Sequence, residues 1–127
     1  MKLRLQANSV RLRLKRGEVE QLARTGRVEE KIVFGPDRDD TFHYVLEVST
    51  TVKVPEARCE NRRVVVQVPA AAVAHWAASG EVGMEGTQSL GEQGRLEVLI
   101  EKDFACLNGP VEQNADTFPN PLAVTKC

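Results

Sequence analysis

The sequence predicts an α+β fold: a duplicated ββαββ unit whose strands form a curved, mostly antiparallel sheet or a partly closed barrel, with two helices on one face. Three observations lead there. Apolar and polar residues alternate in KLRLQ at 2–6, VRLRL at 10–14 and TFHYVLEVS at 41–49, the period of a half-buried strand. Two stretches, VEQLARTG at 19–26 and VAHWAASG at 73–80, switch to helical spacing. The second half also repeats the first after a shift of 54 residues, with no gap.

The elements follow in order. Residues 2–6 and 10–14 read as two strands around a turn at Ala7-Asn8-Ser9, or as one continuous bent strand. Asn8 suits the turn because Asn tolerates left-handed backbone. In residues 16–25, Val19, Leu22 and Ala23 fall at i, i+3 and i+4 and form one apolar stripe on a short helix. Gly26 follows and can take the left-handed conformation that stops it. Residues 27–34 return to strand character, and Gly35-Pro36-Asp37 opens a charged turn. Phe42, Tyr44, Leu46 and Val48 then share one face of the strand 41–49.

The second half begins with a strand over 52–58, placed at an edge by Pro55, and a β-branched strand over 62–68. Pro69 suits the first turn of a helix, where its missing N–H would have no partner. Val73, Trp76 and Ala77 supply that helix's stripe and Gly80 its stop, with strands at about 81–86 and 95–102 after it.

The 54-residue shift carries Val10, Leu12 and Leu14 to Val64, Val66 and Val68. It carries Val19 to Val73, Leu22 to Trp76, Ala23 to Ala77 and Val28 to Val82. It carries Phe42, Tyr44 and Leu46 to Leu96, Val98 and Ile100. Any two β-α-β stretches share some apolar spacing by chance. The matched Thr/Ser-Gly-x-Val after both helices favours duplication, with repeats at roughly 1–49 and 52–102. Val10, Leu12, Leu14, Phe42, Tyr44 and Leu46, with their counterparts Val64, Val66, Val68, Leu96, Val98 and Ile100, would form the face beneath the helices. Residues 103–127 hold Pro110, Pro119 and Pro121 and show no period. Phe104, Leu107, Phe118 and Leu122 are expected to anchor this tail on a single domain spanning 1–127.

Composition narrows the functional classes. Apolar residues at 42% and charged residues at 28% are ordinary for a globular domain. A net charge of -1 gives no argument for nucleic acid, and a single Trp and a single Tyr supply few base-stacking surfaces. No run approaches the roughly 18 apolar residues of a membrane span. Three cysteines without CxxC spacing read as free thiols, so a cytoplasmic protein is expected, a monomer or homodimer without nucleic-acid or membrane partners.

Three functional readings arise from the polar strand faces. The first is a basic face on which Arg4, Arg11, Arg13 and Lys31 hold a small anionic ligand, since guanidinium binds phosphate or carboxylate bidentately. The second is a divalent metal held by His43, Glu47, Glu97 and Glu101, where His43 and Glu97, and Glu47 and Glu101, are repeat-equivalent. No other cofactor is evident. The third is a structural protein that associates through an open sheet edge. The bland alternative to all three is a solvated face of weak cross-strand ion pairs. Asp103 and Cys106 are further candidates, because the chain leaves the sheet there. Cys106 as a nucleophile would need a nearby base; otherwise it is a small buried side chain.

MKLRLQANSVRLRL at the start, EKDFACL at 101–107 and FPNP at 118–121 together resemble a family of small bacterial proteins of about this length. The resemblance covers nearly the whole chain. It implies a stand-alone cytoplasmic domain and carries over no catalytic residue.

Overall fold

The alternating segments form eight strands, divided between two sheets. A computed structural model describes residues 1–104 and 116–119. In chain order the elements are β1 (Lys2–Gln6), β2 (Ser9–Leu14), α1 (Arg16–Thr25), β3 (Arg27–Val33), β4 (Thr41–Ser49), β5 (Glu56–Glu60), β6 (Arg63–Pro69), α2 (Ala70–Ala78), β7 (Gly83–Ser89) and β8 (Arg95–Lys102). Short 3-10 turns at Arg38–Asp40 and Gly91–Gln93 precede β4 and β8.

One sheet has the order β1-β2-β8-β7 and the other β3-β4-β6-β5. Each sheet is two antiparallel hairpins joined by a parallel central pair, β2 with β8 and β4 with β6. Helix α1 carries the chain from the first sheet to the second, and α2 carries it back. The fold is therefore α+β, as expected, but its eight strands form two mixed sheets that do not close. The reason is physical. A two-residue loop forces antiparallel pairing within a hairpin, whereas a strand's parallel partner must arrive through a long connection. Here it arrives from the other half of the chain.

The core confirms the expected apolar face. Leu12, Leu14, Leu46, Val66, Val68, Val98 and Ile100 are fully buried, together with Leu22 and Trp76 from the helices. Val10, Tyr44 and Val64 join the same cluster, and Phe42 and Leu96 pack against it. The inner faces of both sheets and the stripes of both helices thus share one core. Side chains of the opposite parity point away from it on two separate outer faces.

Duplication is consistent with the pairing. His43 opposite Arg63 in one sheet corresponds, under the 54-residue shift, to Glu97 opposite Ser9 in the other. The ungapped correspondence fails at one place. Val28 is buried, but Val82 is 47% exposed, and Met84 takes the register of Val28 instead: Val28 lies opposite Leu46 and Met84 opposite Ile100. The cause lies at the helix ends. Gly26 has φ +81° and turns α1 directly into β3. Gly80 is not left-handed; Ser79 is extended, and residues 79–82 intervene before β7. The loop at 90–94 is correspondingly shorter than that at 34–40. Val82 keeps a backbone role, because its carbonyl accepts Trp76 Nε1–H at 3.2 Å and Lys102 N–H at 2.9 Å.

The β1–β2 turn also differs from expectation. Ala7, not Asn8, has positive φ, at +49°. Asn8 instead donates its side-chain amide to the Arg95 carbonyl at 2.5 Å, tying the hairpin to β8. After β8, Asp103 C=O accepts Phe118 N–H at 2.8 Å, and the Phe104 and Phe118 rings lie 6.0 Å apart. Asp116 caps the start of α1, accepting Gly17 N–H at 3.1 Å. Leu107 and Leu122 lie outside the described residues. No helix among the described residues is long and apolar enough to cross a membrane.

The repeat relation also connects the two places where the sheet edges meet. Near β5 and β7, a Cβ on Gly86 would lie 2.4 Å from the Pro55 carbonyl oxygen, so only glycine fits. Near β1 and β3, Met1 lies 54 residues before Pro55, and Glu30, opposite Tyr44 as Gly86 is opposite Val98, takes the register of Gly86; the Met1 amino group lies 2.5 Å from Glu30 Oε1. Gly86→Ala is expected to destabilise by about 1–3 kcal/mol, because backbone must shift. Gly80→Ala, with nothing within 4 Å and no positive φ, should be neutral or stabilising. Urea unfolding followed by circular dichroism checks both, and equal midpoints would contradict the close approach.

Candidate functional site

Inner-face strand positions are consumed by the core, so the charged strand side chains lie on the outer faces; a cavity of about 630 Å³ between α1 and α2 is lined mainly by apolar residues such as Leu22, Val48, Val73 and Ala77. On the β1-β2-β8-β7 sheet, register aligns side chains in rows across the strands. One row is Arg4, Arg11, Leu99 and Glu85. A second is Lys2, Arg13, Glu101 and Gly83. A third is Gln6, Ser9, Glu97 and Thr87. The face is therefore basic on its first two strands and acidic on its last two.

The hairpin register has an electrostatic consequence. Arg4 stands directly opposite Arg11, and Lys2 directly opposite Arg13. Like charges in directly opposed positions are destabilising, by roughly 0.2–1 kcal/mol per pair. Two of the four cations find acids: Arg11 Nε lies 2.8 Å from Glu101 Oε1, and Lys2 Nζ lies 3.0 Å from Asp103 Oδ2. Arg4 and Arg13 have no ion pair among the described residues. Arg4, Gln6, Ser9, Arg11 and Leu99 line a shallow cavity of about 270 Å³.

Three of the four expected anion ligands thus share one face, and Lys31 does not. It sits on the other sheet, in a row with His43, Arg63 and Glu60. The candidate metal ligands divide in the same way. His43 and Glu47 are on β4, whereas Glu97 and Glu101 are on β8, on a different outer face. The repeat axis relates the two pairs without bringing them together. Among the described residues no group of three or more His, Cys, Asp and Glu could hold a metal ion.

Several side chains on the outer face of the β3-β4-β6-β5 sheet pair with one another, although Lys31 has no ion pair among the described residues and His43 Nδ1 is buried without a hydrogen bond. Glu29 accepts from Arg27 at 2.5 Å and Arg63 at 3.3 Å, and Gln67 donates to Glu47 at 3.0 Å. His43 Nδ1 lies 3.7 Å from Glu29 Oε2, too far for a hydrogen bond. Val45 and Val65, 1% and 4% exposed, lie on this face among the long polar side chains. Alternation alone does not suggest that two outward valines are covered.

Asp103 lies just past β8, 4% exposed, beside the start of β1 and the end of β2. Its carboxylate meets Lys2, its N–H donates to Leu14 C=O at 2.8 Å, and its carbonyl receives Phe118 N–H. Cys106 lies outside the described residues.

Two polar clusters lie deeper. The Met1 amino group meets both Glu18 and Glu30, while Tyr44 Oη donates to the Met1 carbonyl at 2.9 Å. Burial pushes the Glu30 carboxyl up. The Met1 ammonium, helped by the Tyr44 hydroxyl, outweighs that and holds it below the usual carboxylate range. Burial, then the charges of Glu30 and Glu18, raise the Tyr44 phenol. Lys102, buried on the inner side of β8, donates to the Ser79 carbonyl at 2.7 Å and lies near the Trp76 and Phe118 rings. Burial lowers its pKa, partly offset by Glu81. Both clusters join elements of the fold together.

Glu85 and Leu99 belong to the candidate face but were not singled out from sequence. Glu85 is a lone acid in a glycine-rich segment, and Leu99 a lone outward leucine in β8; only register shows that they continue the arginine row.

A search of curated proteins and a search of solved structures each found no match. The model of a family of unknown function (DUF7009) matches residues 1–122, and the chain belongs to that family.

Proposed function

We propose that the protein binds a small phosphate- or carboxylate-bearing molecule on the basic half of the β1-β2-β8-β7 outer face. One observation carries this reading: Arg4 is held directly opposite Arg11 without a carboxylate of its own, above a cavity that both arginines line. An anion placed between them removes the like-charge repulsion and accepts bidentate hydrogen bonds from two guanidinium groups. Lys2 and Arg13, opposed in the next row, add to the positive potential. Arg11 keeps Glu101 as a neighbour, which restrains its side chain at the edge of the cavity.

The test is thermal unfolding with phosphate, pyrophosphate and citrate, at ionic strength matched with chloride. A ligand at a hundredfold excess over its Kd adds about 2.7 kcal/mol, or roughly 10 °C in Tm for a domain of this size. Arg4→Ala is expected to abolish the shift, while Lys31→Ala, on the other sheet, retains it. Absence of any anion-specific shift, or one that survives Arg4→Ala, overturns the proposal.

A further inference from the structure

We infer that the molecule bound on this face is amphoteric, with an anionic group at one end, an apolar middle, and a primary amine or guanidinium at the other. The inference rests on the anion-binding reading above and extends it across the sheet. The row Arg4, Arg11, Leu99, Glu85 runs over all four strands, so its charges read positive, positive, apolar, negative. Its two outermost members, Arg4 and Glu85, are exposed and opposite in charge, and neither has an ion pair among the described residues. They stand three strands apart, at about 4.8 Å per strand, so they do not meet each other directly.

The surface between them is shaped. Val82, Gly83, Met84, Glu85, Leu99 and Glu101 line a second shallow cavity of about 340 Å³. It shares Leu99 with the arginine-lined cavity, so the two adjoin across one half-buried apolar side chain. Beside Glu101 the row ends in Gly83, where a Cβ would lie 2.5 Å from the Ile100 carbonyl oxygen. No side chain therefore screens that end of the second cavity. Glu101 is already engaged by Arg11, which leaves Glu85 as the carboxylate available to a ligand cation. Arg11 and Glu85 are two strands apart, about 10 Å. A chain of several methylenes between the ligand's charges matches that span and covers Leu99.

Isothermal titration calorimetry with 6-aminohexanoate and hexanoate tests the inference. The two probes share the carboxylate and the methylene chain and differ only in the amine. Wild-type protein is expected to bind 6-aminohexanoate at least tenfold more tightly than hexanoate. The exposed Glu85→Gln variant, shown folded by its melting curve, is expected to bind the two equally. Equal affinities in wild type, or a preference that survives Glu85→Gln, overturns the amphoteric ligand and leaves the anion site standing. So does binding of phosphate but of neither probe. If Arg4→Ala leaves the affinity for hexanoate unchanged, or no anion binds, the underlying reading falls and this inference falls with it.

Discussion

Neither half of the chain, produced alone as residues 1–52 or 53–127, is expected to unfold cooperatively as a monomer, whereas the two halves mixed should recover the circular dichroism of the intact chain. Each sheet takes one hairpin from each half. Both parallel central pairs, β2 with β8 and β4 with β6, are therefore contacts between halves. A single half would retain two hairpins and one helix, with its central strands unpaired on one side. An isolated hairpin is marginal in water, and so is an isolated helix of ten residues or fewer. The core residues of each half, such as Leu12 and Leu46 or Val66 and Ile100, would lose the hairpin paired beside them and half of the sheet that faces them. Sedimentation and thermal unfolding of each fragment check this. A half that melts cooperatively as a monomer would show that the interleaving is dispensable.

Trp76→Ala is expected to destabilise the protein by about 3–5 kcal/mol, the range for deleting a large aromatic side chain from a packed core. Domains are commonly stable by only about 5–15 kcal/mol, so the variant should be partly unfolded at physiological temperature. Trp76 is fully buried and is the point where α2 meets the core. Its Nε1–H also donates to the Val82 carbonyl, and its ring lies 5.7 Å from Lys102 Nζ. Truncation therefore leaves a cavity and a less shielded buried ammonium, while the Val82 carbonyl keeps only its bond from Lys102 N–H. Trp76→Phe separates these effects, since it restores much of the apolar volume and should lose only about 1–3 kcal/mol for the missing donor and the imperfect fill. Leu22→Ala, at the repeat-equivalent position, should cost about 2–5 kcal/mol. Urea midpoints by circular dichroism measure all three. A loss below about 1 kcal/mol for Trp76→Ala would be incompatible with its place in the core.

Local pattern carried much of the fold. Period two along KLRLQ, VRLRL and TFHYVLEVS, and the shift to helical spacing around Leu22 and Trp76, depend only on neighbours in the chain. Hydrophobic burial acts on those neighbours in the same way in any arrangement of sheets. The 54-residue repeat was legible for the same reason, since duplication preserves apolar spacing while polar residues change. Its local failure at Val82 was not legible. The period-two pattern survives a two-residue slip, so Val82 and Met84 are equally good partners for Val28 until backbone geometry distinguishes Gly26 from Gly80.

The candidate site divides along the same line. That Lys2, Arg4, Arg11 and Arg13 form a basic surface follows from alternation and from the two-residue turn between β1 and β2, both local. The separation of Lys31 from those arginines, the division of His43 and Glu47 from Glu97 and Glu101, and the alignment of Glu85 and Leu99 with Arg11 all depend on which strands are neighbours. The two helices set that arrangement by carrying the chain between sheets, so that the central partners come from residues far apart in sequence. Alternation says which face of a strand a residue occupies. The free energy of burying both inner faces in one core, shared between the two halves, determines which faces lie side by side.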